Sequence, residues 1–250
     1  MKDTMIGVDL SKSVFQLHGT SMTGELKFRK KLSRQGFVRF MESHDPAFVV
    51  MEACGGANFW ARELVGLGHD VKLVAPQYVR PFVKRQKNDA ADAEAIVIAA
   101  QRPEMRFVEP KTEKQQARAV VFRTRERLMH QRTELVNILR SILYEQGLTF
   151  PIGFDHVARI EAVLRDPSTH VLDVVREECL DLIDQITEKT ARIKNKTETA
   201  TELAKDADTA RRLQTMPGIG PITALAIETF APPMEVFGCG RSFASWLGLV

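Results

Sequence analysis

Apolar and polar positions alternate through Ile6-Gly-Val-Asp-Leu10 and again through Val14-Phe-Gln-Leu-His18, with Ser11-Lys-Ser13 between them. A turn signal at Met22-Thr-Gly24 then leads into an extended stretch from Gly24 to Lys30, so a three-stranded meander is expected. Arg34 to Ser43 carries Phe37, Phe40 and Met41 at helical spacing. Ala47-Phe-Val-Val-Met51 is a continuous apolar run suited to a strand buried on both faces, bounded by Asp45-Pro46 and Gly55-Gly56. Ala57 to Leu67 has helical periodicity and stops at Gly66 and Gly68, and Val71-Lys-Leu-Val-Ala75 is a further short strand before Pro76. Three strands in sequence followed by alternating helix and strand is the order of a ribonuclease-H-like α/β fold.

The pattern changes at Lys111. Val121, Leu128, Leu135 and Ile142 form one seven-residue column and Phe122, Met129, Val136 and Leu143 the column beside it, which predicts one long helix ending at Gly147. Beyond Pro151 and Pro167 a heptad pattern begins, with Leu172, Cys179, Ile186, Ile193, Ala200 and Ala207 at one position and Val175, Leu182, Lys189, Lys196, Leu203 and Ala210 three residues later. That spacing fits a coiled coil or a long packed helical hairpin, with Lys189 and Lys196 weakening the seam. Leu213 to Ala224 holds Pro217-Gly-Ile-Gly-Pro221 between two helical stretches, a helix-hairpin-helix signature. There Gly218 and Gly220 would let backbone N–H groups approach a phosphate; a plain interhelical turn is the alternative. The expected division is 1–150, 151–210 and 211–250.

With 250 residues the chain is long enough for one substantial core and a smaller unit. No apolar run approaches the roughly 20 residues of a membrane span, and the N-terminus has acids at Asp3 and Asp9 in place of an apolar signal core, so a cytoplasmic protein without membrane contact is expected. Cys54, Cys179 and Cys239 are too few and too scattered for a disulfide framework or a cysteine-based zinc site. The net charge of +3 is uneven: residues 1–110 carry 16 basic and 13 acidic groups, and 111–148 carry 8 and 4. A polyanionic partner suits that basic excess, because Lys and Arg neutralise phosphate and release counterions; a solvated surface is the alternative. Lys84, Arg85 and Lys87 crowd the approach to Asp89, and Arg118, Arg125 and Arg132 repeat along the edge of the long helix's apolar stripe, as a nucleic-acid rail or as a wet face.

Four carboxylates stand out. Asp9 ends the first strand, Glu52 ends the buried strand, and Asp89 and Asp92 lie three apart on one helix face. In a ribonuclease-H-like sheet the two strand ends are neighbours. Carboxylates brought together repel unless cations neutralise them, and hard oxygen donors suit Mg²⁺. Two ions about 4 Å apart can clamp both oxygens of a phosphoryl displacement. Singly, Asp9 could be a turn residue and Asp89 an acid favoured at a helix N-terminus; an acid abutting Phe48-Val-Val-Met51 is harder to explain structurally.

Gly7-Val-Asp-Leu-Ser-Lys12, Met51-Glu-Ala-Cys-Gly-Gly56, Val71 to Pro76, Lys87-Asn-Asp-Ala-Ala-Asp92, Met216-Pro-Gly-Ile-Gly-Pro221 and Trp246-Leu-Gly-Leu-Val250 together resemble the insertion-sequence-110 family of DEDD transposases. The resemblance covers nearly the whole chain. It implies a RuvC-like domain, a coiled-coil region and a C-terminal transposase domain, with DNA recombination directed by a structured guide RNA and carried out by a homo-oligomer, a dimer or tetramer. It makes Asp9, Glu52, Asp89 and Asp92 the DEDD tetrad. Family members continue past the Leu-Gly-Leu-Val segment into a Ser-Gly-Gly-type motif whose serine attacks DNA. Since this sequence stops at Val250, the expectation is a truncated copy without that nucleophile, and Ser242 and Ser245 do not replace it. A RuvC-like nuclease using metal-activated water, and a catalytically dead DNA- or RNA-binding remnant, are the competing readings. An actin-like sugar kinase ranks low, because no phosphate-gripping glycine loop is present.

Overall fold

The computed structural model describes residues 3–83 and 89–249, with only the backbone of Asp89 and Ala90. These form two compact units, 1–112 with 232–250, and 113–231.

The first unit is built on a mixed sheet. Strands β1 (Thr4–Asp9), β2 (Val14–Ser21) and β3 (Leu26–Ser33) form the meander, and helix α1 (Arg34–Ser43) leads to β4 (Phe48–Glu52). Helix α2 (Ala57–Gly66) precedes β5 (Asp70–Val74), a short helix α3 (Pro76–Val79) and a 3₁₀ turn Arg80–Phe82. Helix α4 (Asp89–Ala100) then leads to a two-residue strand β6 (Phe107–Val108). The spatial order is β3-β2-β1-β4-β5-β6. β1 runs antiparallel to β2 and parallel to β4, which is parallel to β5, so the chain is α/β with the meander on one side of a parallel centre. The β6 edge, antiparallel to β5, is too short to leave a period in the sequence.

Successive strand residues point to opposite faces, and the two faces have different partners. Ile6, Val8, Val49 and Met51 pack with Phe37 and Met41 of α1 and Trp60 and Leu64 of α2. Phe15, Phe37 and Trp60 meet edge to face, with centroids 5.0 to 5.4 Å apart. On the other face Met5, Val50 and Val74 pack under Ile96, Val97 and Ala99 of α4. β4 is therefore buried on both sides, which explains its unbroken apolar run. Between α2 and β5, buried His69 accepts the Ala47 N–H at Nδ1 (3.1 Å), while its Nε2 is 3.0 Å from the Met41 carbonyl. Those partners require the neutral imidazole with its proton on Nε2.

The second unit is helical. Helix α5 (Glu113–Glu145) and helix α7 (Asp173–Lys205), 33 residues each, are antiparallel, with α6 (Val157–Arg165) between them in sequence. Val136, Leu139 and Leu143 of α5 meet Cys179, Ile183 and Ile186 of α7 over Ile160 and Leu164 of α6. At the other end Ala200 and Ala204 join Ala207 and Ala210 and, from α9 (Pro221–Phe230), Ala224 and Leu225, against Val121 and Phe122. Small side chains there let three helices approach closely, with α8 (Asp208–Leu213) leading into α9. The heptad columns are thus read within one chain, as a hairpin, and Leu172 at the head of the pattern is 68% exposed.

This division differs from the three consecutive segments expected. The apolar columns of α5 face α7, so residues from 113 onward belong with the helices and not with the sheet, and the Pro217–Pro221 turn shares the alanine-rich core of α7. Residues 232–250 group with the first unit and carry α10 (Gly240–Trp246), on which Phe243 and Trp246 stack. Cys54, Cys179 and Cys239 are free thiols. No described helix is long and apolar enough to cross a membrane.

A candidate carboxylate centre and nucleic-acid interface

Asp9 is the last residue of β1 and Glu52 the last of β4. The strands are parallel with Val8 opposite Met51, so one step further Asp9 and Glu52 stand side by side, about one strand spacing of 4.8 Å apart along the backbone. Both continue the side-chain parity of the face that α4 covers, Asp9 that of Met5 and Gly7, Glu52 that of Val50. The chain leaves the sheet immediately after each acid. Ser11 Oγ bonds both backbone groups of Val14 to close the β1–β2 turn, and after Glu52 the Ala53 N–H donates to the Val74 carbonyl and the Cys54 N–H to the Glu52 carbonyl.

Helix α4 brings Asp92 to the same face. It sits close because Gly7 has no side chain: a Cβ there would lie 2.5 Å from the Ala93 carbonyl oxygen and 2.6 Å from Val97 Cγ2. Arg29 of β3, 3.3 Å from Glu94 Oε2, ties the helix to the sheet edge. Burial raises the Glu52 carboxyl above the ordinary range, the neighbouring Asp92 raises it further, and Arg80 opposes them. Burial likewise raises the Cys54 thiol, and the charges of Glu52 and Asp9 add to it. Glu52 thus feels the charge of Asp92, and Cys54 feels those of Glu52 and Asp9. Among the described residues, no group of three or more His, Cys, Asp or Glu is close enough to hold a metal ion. Asp89 opens α4, but its side chain, like Lys84, Arg85 and Lys87, lies outside the described residues.

The row of paired residues extends past Asp9 to Gln16 and then Lys31, and past Glu52 to Val74. Lys31 is exposed, on the Asp9 face, about two strand spacings away. Gly7, Lys31 and Arg80 were not singled out from sequence. A glycine inside a strand signals a close backbone approach and pointed at Gly7; Lys31 and Arg80 become noticeable only once register is known.

The arginine rail does not follow from the structure. Arg118 Nη1 donates to Glu228 Oε1 at 2.6 Å, with both side chains largely buried, and the other Glu228 oxygen accepts the Ala210 N–H. Arg125 Nε donates to Thr197 Oγ1 at 2.8 Å, and the Arg132 guanidinium lies 4.0 Å from the centroid of the Phe154 ring. Arg118 and Arg125 thus tie α5 to α9 and α7, and Arg132 ties it to the 3₁₀ turn Phe154–His156, all from the border of the apolar stripe. Gly218 and Gly220 lie in an exposed turn: Gly218 has φ +84°, Gly220 precedes the first turn of α9, and a Cβ on either would meet open space. Access for a phosphate is free there.

A transposase family model of the DEDD, IS110 type matches residues 6–147, more than half of the chain, and a second, described as Transposase IS116/IS110/IS902 family, matches 210–250. The chain belongs to this transposase family. The first match covers Asp9, Glu52, Asp89 and Asp92, and the second the glycine turn. The putative transposase y4pF/y4sB of Sinorhizobium fredii is 43% identical over 98% of this chain and 63% of its own length. The transposase for insertion sequence element IS1328 of Yersinia enterocolitica is 40% identical over 99% of this chain and 73% of its own. That for IS1111A of Coxiella burnetii is 35% identical over 100% and 69%. The chain thus spans a little under two thirds of the first of these relatives. Among solved structures, T. thermophilus RuvC in complex with Holliday junction substrate is similar at 12% identity and a TM-score of 0.31 over 42% of this chain and 99% of that one, a likeness too slight to bear on function.

Proposed function

We propose that this chain acts on DNA as an insertion-sequence transposase through a divalent-metal centre on its ribonuclease-H-like, RuvC-like sheet. The observation that supports the reading is the placement of Asp9 and Glu52 at the ends of adjacent parallel strands, each one residue past the Val8–Met51 pair, with Asp92 on the covering helix raising the proton affinity of Glu52. An all-carboxylate donor set of mutually repelling groups fits a hard cation such as Mg²⁺. Asp9, Glu52 and Asp92, with Asp89 from the first turn of α4, are the residues that would hold it, with room in the reading for two ions. When bound, the metal supplies Lewis-acid polarisation of a scissile phosphate. The chain's own residues do the rest. Gly7 sets the height of α4 over the sheet, Arg29 and Glu94 fix its position, and Lys31 and Arg80 flank the acids as cations for a phosphodiester backbone.

The glycine turn at Gly218 and Gly220 gives a second phosphate contact in the other unit. A structured guide RNA and assembly into a homo-oligomer belong to the same proposal, supported by family membership. The test is a supercoiled plasmid carrying the element ends, incubated with the protein, its co-transcribed RNA and Mg²⁺. Metal-dependent protection of the element ends from nuclease digestion that disappears with Asp9→Asn is expected; protection that survives that substitution, or forms equally in chelator, contradicts the reading.

A further inference from the structure

The carboxylate row has a neighbour on its β5 side. Val74, the last residue of β5, pairs with Glu52 on one side and with Phe107 on the other, so the chain leaves β5 one strand beyond Glu52 and enters β6 two strands beyond it. Between those two stretches lies a cavity of about 570 Å³. One wall is α3 and the 3₁₀ turn, with Tyr78 and Phe82; the other is the segment before β6, with Arg102, Glu104 and Arg106. The Arg102 guanidinium lies over the Phe82 ring at 5.3 Å from its centroid, and Tyr78 is 41% exposed. Arg80, in the same turn, is the cation whose field reaches Glu52.

We propose that this cavity is a subsite for one unstacked nucleotide of a single-stranded nucleic acid, its base against Tyr78 and the Arg102–Phe82 platform and its phosphates facing Arg106. The proposal rests on the reading that the carboxylate centre works on nucleic acid, and it specifies the form in which the flanking nucleotide is held. The chemistry favours this occupant. Aromatic rings and a guanidinium plane are the surfaces on which bases stack, without regard to sequence, because every base offers a π-face. Two arginines, Arg102 and Arg106, outweigh Glu104 in its lining, which suits a polyanion. A base inside a duplex has both faces covered by its neighbours and cannot enter, so the site selects unpaired strand. Its walls stand at the ends of β5 and β6, one and two strands beyond Glu52, which is the side toward which a strand held at the acids would continue.

The experiment is fluorescence anisotropy of the 250-residue chain with a short fluorescein-labelled oligothymidine, and with a duplex of the same length, in chelator so that metal does not contribute. Tyr78→Ala and Arg102→Ala are each expected to weaken single-strand binding by about tenfold, the loss of one stacked base, while changing duplex binding by less than about twofold. Tyr78→Phe, which keeps the ring, is expected to bind like the unchanged protein, and its normal melting shows that the site folds. Single-strand affinity unchanged in both alanine variants, or equal losses for single strand and duplex, overturns the subsite. If the variants instead alter self-association in sedimentation, the cavity holds a protein segment and the proposal fails. A protein that binds neither single strand nor duplex refutes the nucleic-acid reading itself; one that binds both but ignores Tyr78→Ala and Arg102→Ala refutes only the subsite.

Discussion

Asp9 and Glu52 terminate adjacent parallel strands one residue past the Val8–Met51 pair, on the face that α4 covers. No flexible segment separates these acids from the sheet, so their spacing is set by the ladder. A strand ending is the one place where a carboxylate can be held by a rigid sheet and still reach solvent, cation or substrate.

Gly7→Ala is expected to disturb that site without touching an acid. The new methyl would collide with the Ala93 carbonyl and Val97, so α4 must lift, at about 1 to 3 kcal/mol as for other overpacked cores. Lower thermal stability together with weaker Mn²⁺ binding is the expected pair of results. Gly66→Ala in α2, where a Cβ meets nothing within 4 Å, is the control and should stabilise slightly.

Glu52 gives a pH signature in the metal-free chain. Its folded carboxyl holds a proton to higher pH than in the unfolded chain, chiefly through burial and then through Asp92. Its contribution to stability is therefore full below the ordinary glutamate range and lost as pH rises through the raised value. Glu52→Gln should raise the melting temperature near neutral pH and leave it unchanged in acid. Thermal melts across pH in chelator check this; a variant less stable at neutral pH contradicts it.

Glu228→Ala should destabilise the helical unit by about 1 to 3 kcal/mol, because it strands both the Arg118 guanidinium and the Ala210 N–H in a largely buried setting. Replacing both Arg118 and Glu228 should cost less than the sum of the single changes. Urea denaturation of the four proteins measures the coupling; strict additivity would mean that the pair is not an energetic unit.

His69→Phe keeps the ring but leaves the buried Ala47 N–H and Met41 carbonyl without the imidazole, a loss of about 1 to 3 kcal/mol. Chemical denaturation reads it directly, and a neutral result would show that the imidazole does not bridge α1 to β4.

Strands β1, β2, β4 and β5 were legible because each is a short run of one period ended by Gly, Pro or Ser, and the burial of β4 on both faces wrote itself as Phe48-Val-Val-Met51. The two-residue β6 was not, since two residues carry no period. The heptads of α7 were plain, but period alone does not say what fills the seam; α5, α6 and α9 fill it from within the chain. The partners of Arg118, Arg125 and Arg132 are illegible for a related reason. Arginines at the border of an apolar stripe have stems that pack and heads that find Glu228, Thr197 and Phe154, and those partners lie 110, 72 and 22 positions away. Of the candidate site, the strand-end acids could be picked out from sequence, whereas Gly7's role under Ala93 and the alignment of Lys31 with Asp9 required the register.

The measurement closest to the central claim is a Mn²⁺ titration of the whole chain followed by electron paramagnetic resonance, compared with Asp9→Asn and Asp92→Asn. Loss of the free-ion signal at substoichiometric metal in the unchanged protein, and its persistence in both variants despite normal melting, is the predicted result. Equal uptake by all three proteins would contradict a centre shared by these acids.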